Sequence, residues 1–205
     1  MNDTGSSTRA ALLDAATALF AARGYEGTSV REITARADAN LGAVTYHFGS
    51  KAALFEAVLV RALDELGRAI AAAMAQGGTA LDRVERAFRA HFSFLASHAD
   101  LRGLAIQVFL RGAQMPPRAR ASLRGMVDGL AGVIVQGQRE GSIRAGDPRV
   151  LTVAVMAPSI VLNVLREPLR VGPGIDLLES RRRRAVLDTL VKYLRSGLAP
   201  RGRGS

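Results

Sequence analysis

The twelve residues NLGAVTYHFGSK, 40 to 51, concentrate groups that can hydrogen-bond to a polyanion. Thr45, Tyr46 and His47 stand in a row, Lys51 closes the stretch, and no acidic residue interrupts it. Hydroxyl, imidazole and ammonium groups reach phosphate oxygens and base edges, and the Thr45 methyl can also touch a thymine methyl. By residue type alone, the run serves equally well as an aromatic packing cluster beside a solvated lysine. Catalytic chemistry is harder to build. The chain has three histidines and no cysteine, no defensible nucleophile–base spacing and no phosphate-cradling glycine loop, so an enzyme is not expected.

These groups must be positioned by helices. No sustained period-2 alternation occurs, and alanine, leucine and arginine dominate, which predicts an all-α protein. Leu12, Leu13, Ala16, Leu19 and Phe20 mark the apolar stripe of a first helix ending at Arg23 before Gly24. Ser29 and Glu32 form a capping box for a second. Ile33 and Ala37 face its core. Asp38-Ala39-Asn40 is a three-residue break, with Asn40 the expected cap of a short third helix from Leu41 to Phe48. Gly49-Ser50 leads into a long fourth, from Lys51 to about Ala75. Two short helices joined by so tight a turn are a helix-turn-helix, whose second helix enters the major groove N-terminus first. Gly42 and Ala43 then keep bulk away from the duplex. Val44 and Phe48 are expected in the core, and Lys51 beside a backbone phosphate.

Past the Gln76-Gly77-Gly78 joint and the Thr79 cap, five more helices are predicted, at 80–97, 101–112, 117–140, 148–167 and 177–196, making about nine in all. Asp147-Pro148 and Asp176 with Glu179 are the expected caps of the last two. A helix-turn-helix domain is placed at 8–52 and a helical effector-binding and dimerisation domain at 53–197, with 1–7 and 198–205 disordered.

The net charge of +10 suggests a polyanionic partner without locating it, because residues 1–50 carry four basic and five acidic side chains. The excess lies in the C-terminal half and includes the run Arg181 to Arg184, which spreads around its helix. The absence of cysteine excludes a disulfide scaffold and fits a reducing cytoplasm. The polar N-terminus has no apolar h-region, and the run from Val150 to Leu165 is too short to span a bilayer. A cytoplasmic protein with no membrane partner is expected.

Between Leu12 and Leu59 the chain resembles the TetR family of bacterial transcriptional regulators. The matching features are A-x-x-L-F-x-x-x-G-Y-x-x-T-S-V (Ala16 to Val30), R-E-I-x-x-x-A in the second helix, and Y-H-F-x-S-K-x-x-L-F (Tyr46 to Phe55). The resemblance implies a three-helix headpiece joined through the long fourth helix to a helical dimerisation and ligand domain. It places Arg31 where base or phosphate is often contacted, and Asn40, Leu41, Gly42, Ala43 and Thr45 on the base-facing edge. Tyr46, His47 and Lys51 match phosphate-contacting or nearby positions. Asp38 departs from the family's usual glycine, though aspartate tolerates the left-handed conformation better than most residues.

The resemblance further implies a homodimer on a palindromic operator and a small-molecule effector. Leu151, Val155 and Val164 with Leu187, Leu190, Val191 and Leu194 are the candidate dimer stripes, or else intramolecular core. Candidate effector-pocket residues are His91, Phe94, Leu95 and His98 on one helix and Phe109, Met126, Met156 and Asn163 on its neighbours. They suit an apolar or aromatic ligand, or are plain core. His91 and His98, seven apart, share a face but lack a carboxylate or thiolate to complete a metal site; no metal or cofactor is expected. The leading function is a dimeric repressor released by its effector. The alternative is an effector-independent architectural or division-linked DNA-binding protein with a protein partner.

Overall fold

The computed structural model describes residues 3–111 and 115–200, apart from the side chains of 3–4 and 107–111. Among these residues the protein is all-α, with helices α1 (Asp3–Arg23), α2 (Val30–Arg36), α3 (Ala43–Phe48), α4 (Lys51–Met74), α5 (Ala80–Ser97), α6 (Ala99–Arg111), α7 (Pro117–Arg139), α8 (Pro148–Val164), α9 (Arg166–Val171) and α10 (Ser180–Leu198). They form two compact units. The first runs to Asp64 and includes Ala99–Ser122; the second is Glu65–His98 with Leu123 onward. The units therefore part inside α4 rather than at 52/53, and α6 with the start of α7 belongs to the headpiece. α1 begins at Asp3, so residues 3–7 are helical where disorder was expected.

In the headpiece, Leu12, Ala16 and Phe20 of α1 pack with Ile33 of α2, Val44 of α3 and Leu54, Phe55 and Val58 of α4, all essentially inaccessible. Burying this many large side chains, each favourable by about 1.5–3 kcal/mol, is what holds α2 and α3, which are too short to be stable alone. Arg61 of α4 ties α1 down by donating to Asp14 Oδ1 (2.6 Å) and Thr17 Oγ1 (2.7 Å). Gly103 lets α6 lie against α1, because a Cβ there would collide with the Ala21 backbone.

In the second unit, Leu66 and Ile70 of α4, Val84 and Phe88 of α5, Leu130 and Ile134 of α7, Leu151, Val155 and Met156 of α8, and Val191, Leu194 and Leu198 of α10 form one apolar core. Arg195 of α10 bridges Asp82 (3.0 Å) and Glu85 (2.6 Å) of α5.

Three helix boundaries differ from the sequence expectation. The expected helix 148–167 breaks at Leu165 and resumes as α9. The break leaves Pro168 in the first turn of a new helix, where its missing N–H is tolerated. The last helix starts at Ser180, because Asp176 accepts from the Leu178 amide (2.8 Å) in a local turn and does not cap α10. α3 starts at Ala43, whose amide bonds the Asn40 carbonyl (3.0 Å) in a turn, so its cap is Gly42 without a side-chain hydrogen bond and not Asn40.

Candidate nucleic-acid interface

The α2–α3 pair is set by local chemistry. Ser29 Oγ accepts from the Glu32 amide (3.2 Å) while Glu32 Oε2 accepts from the Ser29 amide (2.8 Å), the reciprocal box expected from sequence. The Ser29 backbone and hydroxyl, then Arg23, hold the Glu32 carboxyl below its ordinary range, and Arg23 Nη1 is 2.6 Å away. In the turn, Asp38 adopts φ +49°, the left-handed conformation anticipated for it. Gly49, at φ +84°, stops α3, and Ser50 Oγ accepts from the Ala53 amide (3.1 Å) at the start of α4.

On this frame, Arg31, Asn40, Leu41, Gly42, Thr45 and Tyr46 are exposed, Tyr46 by 85%. His47 is half-buried and meets Tyr46 edge-on at 4.9 Å. Ala43 is a correction: only 5% exposed, its methyl packs inward with Val44 and is not on the outer edge. Phe48 is half-buried, not core, and lies under the Arg9 guanidinium at 4.9 Å.

Gly42 is informative because nothing within the protein demands it. Its φ of −75° suits any residue, and an added Cβ would meet only Asn40 Oδ1 at 3.5 Å, an ordinary contact. A glycine that neither conformation nor packing requires, at the exposed end of α3, keeps that backbone open to close approach from outside.

Lys51 opens α4 with its Nζ 4.2 Å above the Tyr25 ring, and that ring packs with Phe20 and Phe55. A cation at a helix N-terminus opposes the helix dipole, while the ring face attracts it modestly. The ammonium is thereby held at the start of α4. Sequence reading missed Arg9 and Tyr25. An arginine early in α1 gives no periodic signal, and the Lys51–Tyr25 contact joins residues far apart in sequence.

The second unit redistributes the other candidates. Leu151, Val155, Val191 and Leu194 are each under 10% exposed and belong to the subunit's own core, so they are not free for a partner. Val164, Leu187 and Leu190 are half-buried. In the described part of this unit the exposed apolar side chains include Val150, Val153, Val161 and Leu165 along α8 and its end, and Tyr193 on α10, with Val171 and Leu178 in the segment between these helices. Between α8 and α10 lies an apolar groove of about 90 Å³, lined by residues that include Ala154, Pro158 and Tyr193.

Of the pocket candidates, Phe94 and Met126 pack on the apolar core and Met156 lies within it. His98 is exposed at the end of α5, stacked on Phe94 and bonded through Nδ1 to the Phe94 carbonyl (2.8 Å), so it leaves the face His91 occupies. The Phe109 side chain lies outside the described residues. His91, Leu95 and Asn163 are buried, and burial pushes the His91 imidazole down to about 4. Among the described residues no group of three metal-ligating side chains occurs, and no helix is long and apolar enough to cross a membrane.

An exposed short helix behind a tight turn, braced by a three-helix core and flanked by Arg31 and Lys51, defines a helix-turn-helix DNA-binding module. The chain matches, over residues 12–58, the profile of the bacterial regulatory proteins, tetR family. It is 45% identical over 87 residues to the HTH-type transcriptional repressor Rv3405c of Mycobacterium tuberculosis (42% of this chain, 44% of that one). The match thus spans under half the length of that relative. It is 26% identical over 153 residues to the HTH-type transcriptional activator FasR of Mycolicibacterium smegmatis (74% and 68%). The fold is that of FadR from Bacillus subtilis, solved in complex with stearoyl-CoA, with a TM-score of 0.76 at 19% identity over 91% and 97% of the two chains.

Proposed function

We propose that the chain is a homodimeric transcriptional repressor that binds a palindromic operator and leaves it when a small apolar or aromatic effector binds. The reading rests chiefly on the outer edge of α3, where Gly42 is open without an internal reason and Thr45 and Tyr46 project beside it. Thr45 and Arg31 read base edges, and Asn40, Leu41 and Gly42 line the approach. Tyr46, His47 and Lys51, with Arg9, meet phosphates. The protein acts in the cytoplasm on double-stranded DNA and catalyses nothing.

Repression, rather than activation, is favoured by the name of the relative that is 45% identical over 87 residues. Dimerisation is favoured by the outward stripe of α8 with Tyr193. Stripe positions 150, 153, 157, 161 and 165 recur at helical spacing, and a second copy with the same stripe buries both. The small-molecule effector is favoured by the fold shared with a protein solved with stearoyl-CoA. α4 runs unbroken across the point where the two units part, so it is the lever through which effector occupancy shifts the spacing of the two headpieces.

A genome-wide footprint of the purified protein at physiological salt tests the regulator reading. A few tight palindromic sites are expected, and broad unselective coverage would contradict it. Paired spin labels on the two headpieces test the lever, and spacing unchanged at saturating effector would rule it out.

A further inference from the structure

In the described part of the second unit, three side-chain polar atoms are buried without a hydrogen-bond partner, one of them Arg144 Nε in the turn ahead of α8. The other two are His91 Nδ1 on α5 and Ser159 Oγ on α8. The Ser159 case is unusual within this protein. The hydroxyls of Thr17, Thr34, Ser97, Thr152 and Thr189 each donate to the carbonyl four residues earlier, and that of Ser159 does not. Burying such groups unpaired is unfavourable by about 1–3 kcal/mol each, and native proteins seldom leave them so.

The two atoms are brought to one level by helix register. α5 and α8 pack along one another. Ala80, at the start of α5, stands close to Gly137 and Ile143, just ahead of α8. Phe88, two turns further on, shares a groove with Leu151, Val155 and Pro158. The helices therefore run in the same direction. Counting from Ala80 and Pro148, His91 and Ser159 are each eleven residues in, and Leu95 and Asn163 are each fifteen. Phe92 and Met156, their apolar neighbours on α5 and α8, are buried too. Asn163 already donates to the Ser159 carbonyl (2.9 Å), which fixes that turn.

We propose that His91 and Ser159 together hold the polar end of the effector, and that this end is an uncharged carbonyl or hydroxyl oxygen on an apolar body. This rests on the reading above that the second unit takes a small-molecule effector. An oxygen with two lone pairs accepts one hydrogen bond from the imidazole N–H and one from the serine O–H. A carboxylate is disfavoured. Among the described residues, the polar side chains buried whole in this unit are His91, Thr152, Ser159 and Asn163. Arg144, with its buried Nε, stands ahead of α8, while Ser159 lies eleven residues into that helix, so an anion at this level would be desolvated without a cation beside it. The neutral state of His91 in this surrounding agrees.

The test uses the full chain without DNA and two fluorescent probes of one shape. These are 6-propionyl-2-(dimethylamino)naphthalene, an uncharged ketone, and 6-(dimethylamino)-2-naphthoic acid, a carboxylate at neutral pH. The ketone is expected to bind one per subunit with blue-shifted emission, and the carboxylate about tenfold or more weaker. Ser159→Ala and His91→Leu are each expected to weaken the ketone about tenfold while leaving Tm unchanged or raised. Equal binding of both probes, no ketone binding, or a Ser159→Ala protein that binds the ketone like wild type overturns the proposal. So does a lowered Tm with unchanged probe binding, which means a structural water satisfies the pair. Should His91→Leu fail to fold, Ser159→Ala decides alone. A ketone that binds but never displaces the operator refutes effector release and leaves this site standing.

Discussion

In the headpiece, the polar groups on the outer edge of α3 stand in the open. Thr45 and Tyr46 are exposed on α3, and the acids beneath them are engaged, Glu32 with Ser29 and Arg23 and Asp14 with Arg61. The second unit does the reverse. Acids and arginines on its surface pair with one another, as Arg195 does with Asp82 and Glu85, while His91, Ser159 and the Nε of Arg144 are buried with unpaired atoms. Water satisfies an exposed unpaired group until a partner displaces it, whereas a buried one lowers stability until its partner arrives. The first arrangement suits a partner as strongly hydrated as a phosphodiester chain. The second suits a ligand that is itself mostly apolar.

The largest effect that separates the two regions is expected from Val153→Glu on the outer stripe of α8. It should convert a dimer to a folded monomer by light scattering and lower operator affinity by about 10²-fold or more through lost avidity, with the headpiece untouched. A dimer that persists would move the interface elsewhere.

Next is the acid response of His91. Its folded value near 4 lies below the ordinary 6.5, so between these pH values the unfolded chain binds the extra proton. Stability is then fully present above about pH 6.5 and falls by about 1.4 kcal/mol per pH unit on the way down, to a loss of about 3 kcal/mol near pH 4. Chemical denaturation of wild type and His91→Leu over this range should show the slope only in wild type. Parallel curves would mean the imidazole is not buried neutral.

On the headpiece, Thr45→Ala should relax preference at one base position by about 1–3 kcal/mol. Tyr46→Ala should weaken all duplexes alike. Binding to a library of single-base operator variants separates the two patterns, and Tyr46→Ala binding at wild-type strength would misplace α3. Smallest is Ser29→Ala, expected to lower thermal stability by about 1 kcal/mol through the lost cap, measured by calorimetry.

How far the sequence carried depended on which region was read. The headpiece was legible because its signals are local: the Ser29–Glu32 box, the left-handed turn at Asp38 and the stripe Leu12 to Phe20 all stand as expected. Its errors were local too. Asn40 offers its carbonyl to a turn, which starts α3 later and rotates Ala43 inward. The second unit was less legible because α8 is apolar on nearly every face. Periodicity could not tell Leu151 and Val155, which are core, from Val150 and Val153, which are exposed. Nor could it show that the buried Ser159, unlike Thr17, Thr34, Ser97, Thr152 and Thr189, lacks the usual backbone bond, since that depends on the packing of α5 against α8.

The central claim is that the open edge of α3 is shaped by a duplex and not by the protein's own packing. Gly42→Ala tests it most directly, with Tm and affinity for the strongest footprinted operator measured on the same preparation. The account predicts an unchanged Tm, because the added methyl meets only the Asn40 side chain, and an affinity lower by about tenfold or more as the backbone is held off the groove. Unchanged operator affinity would contradict it.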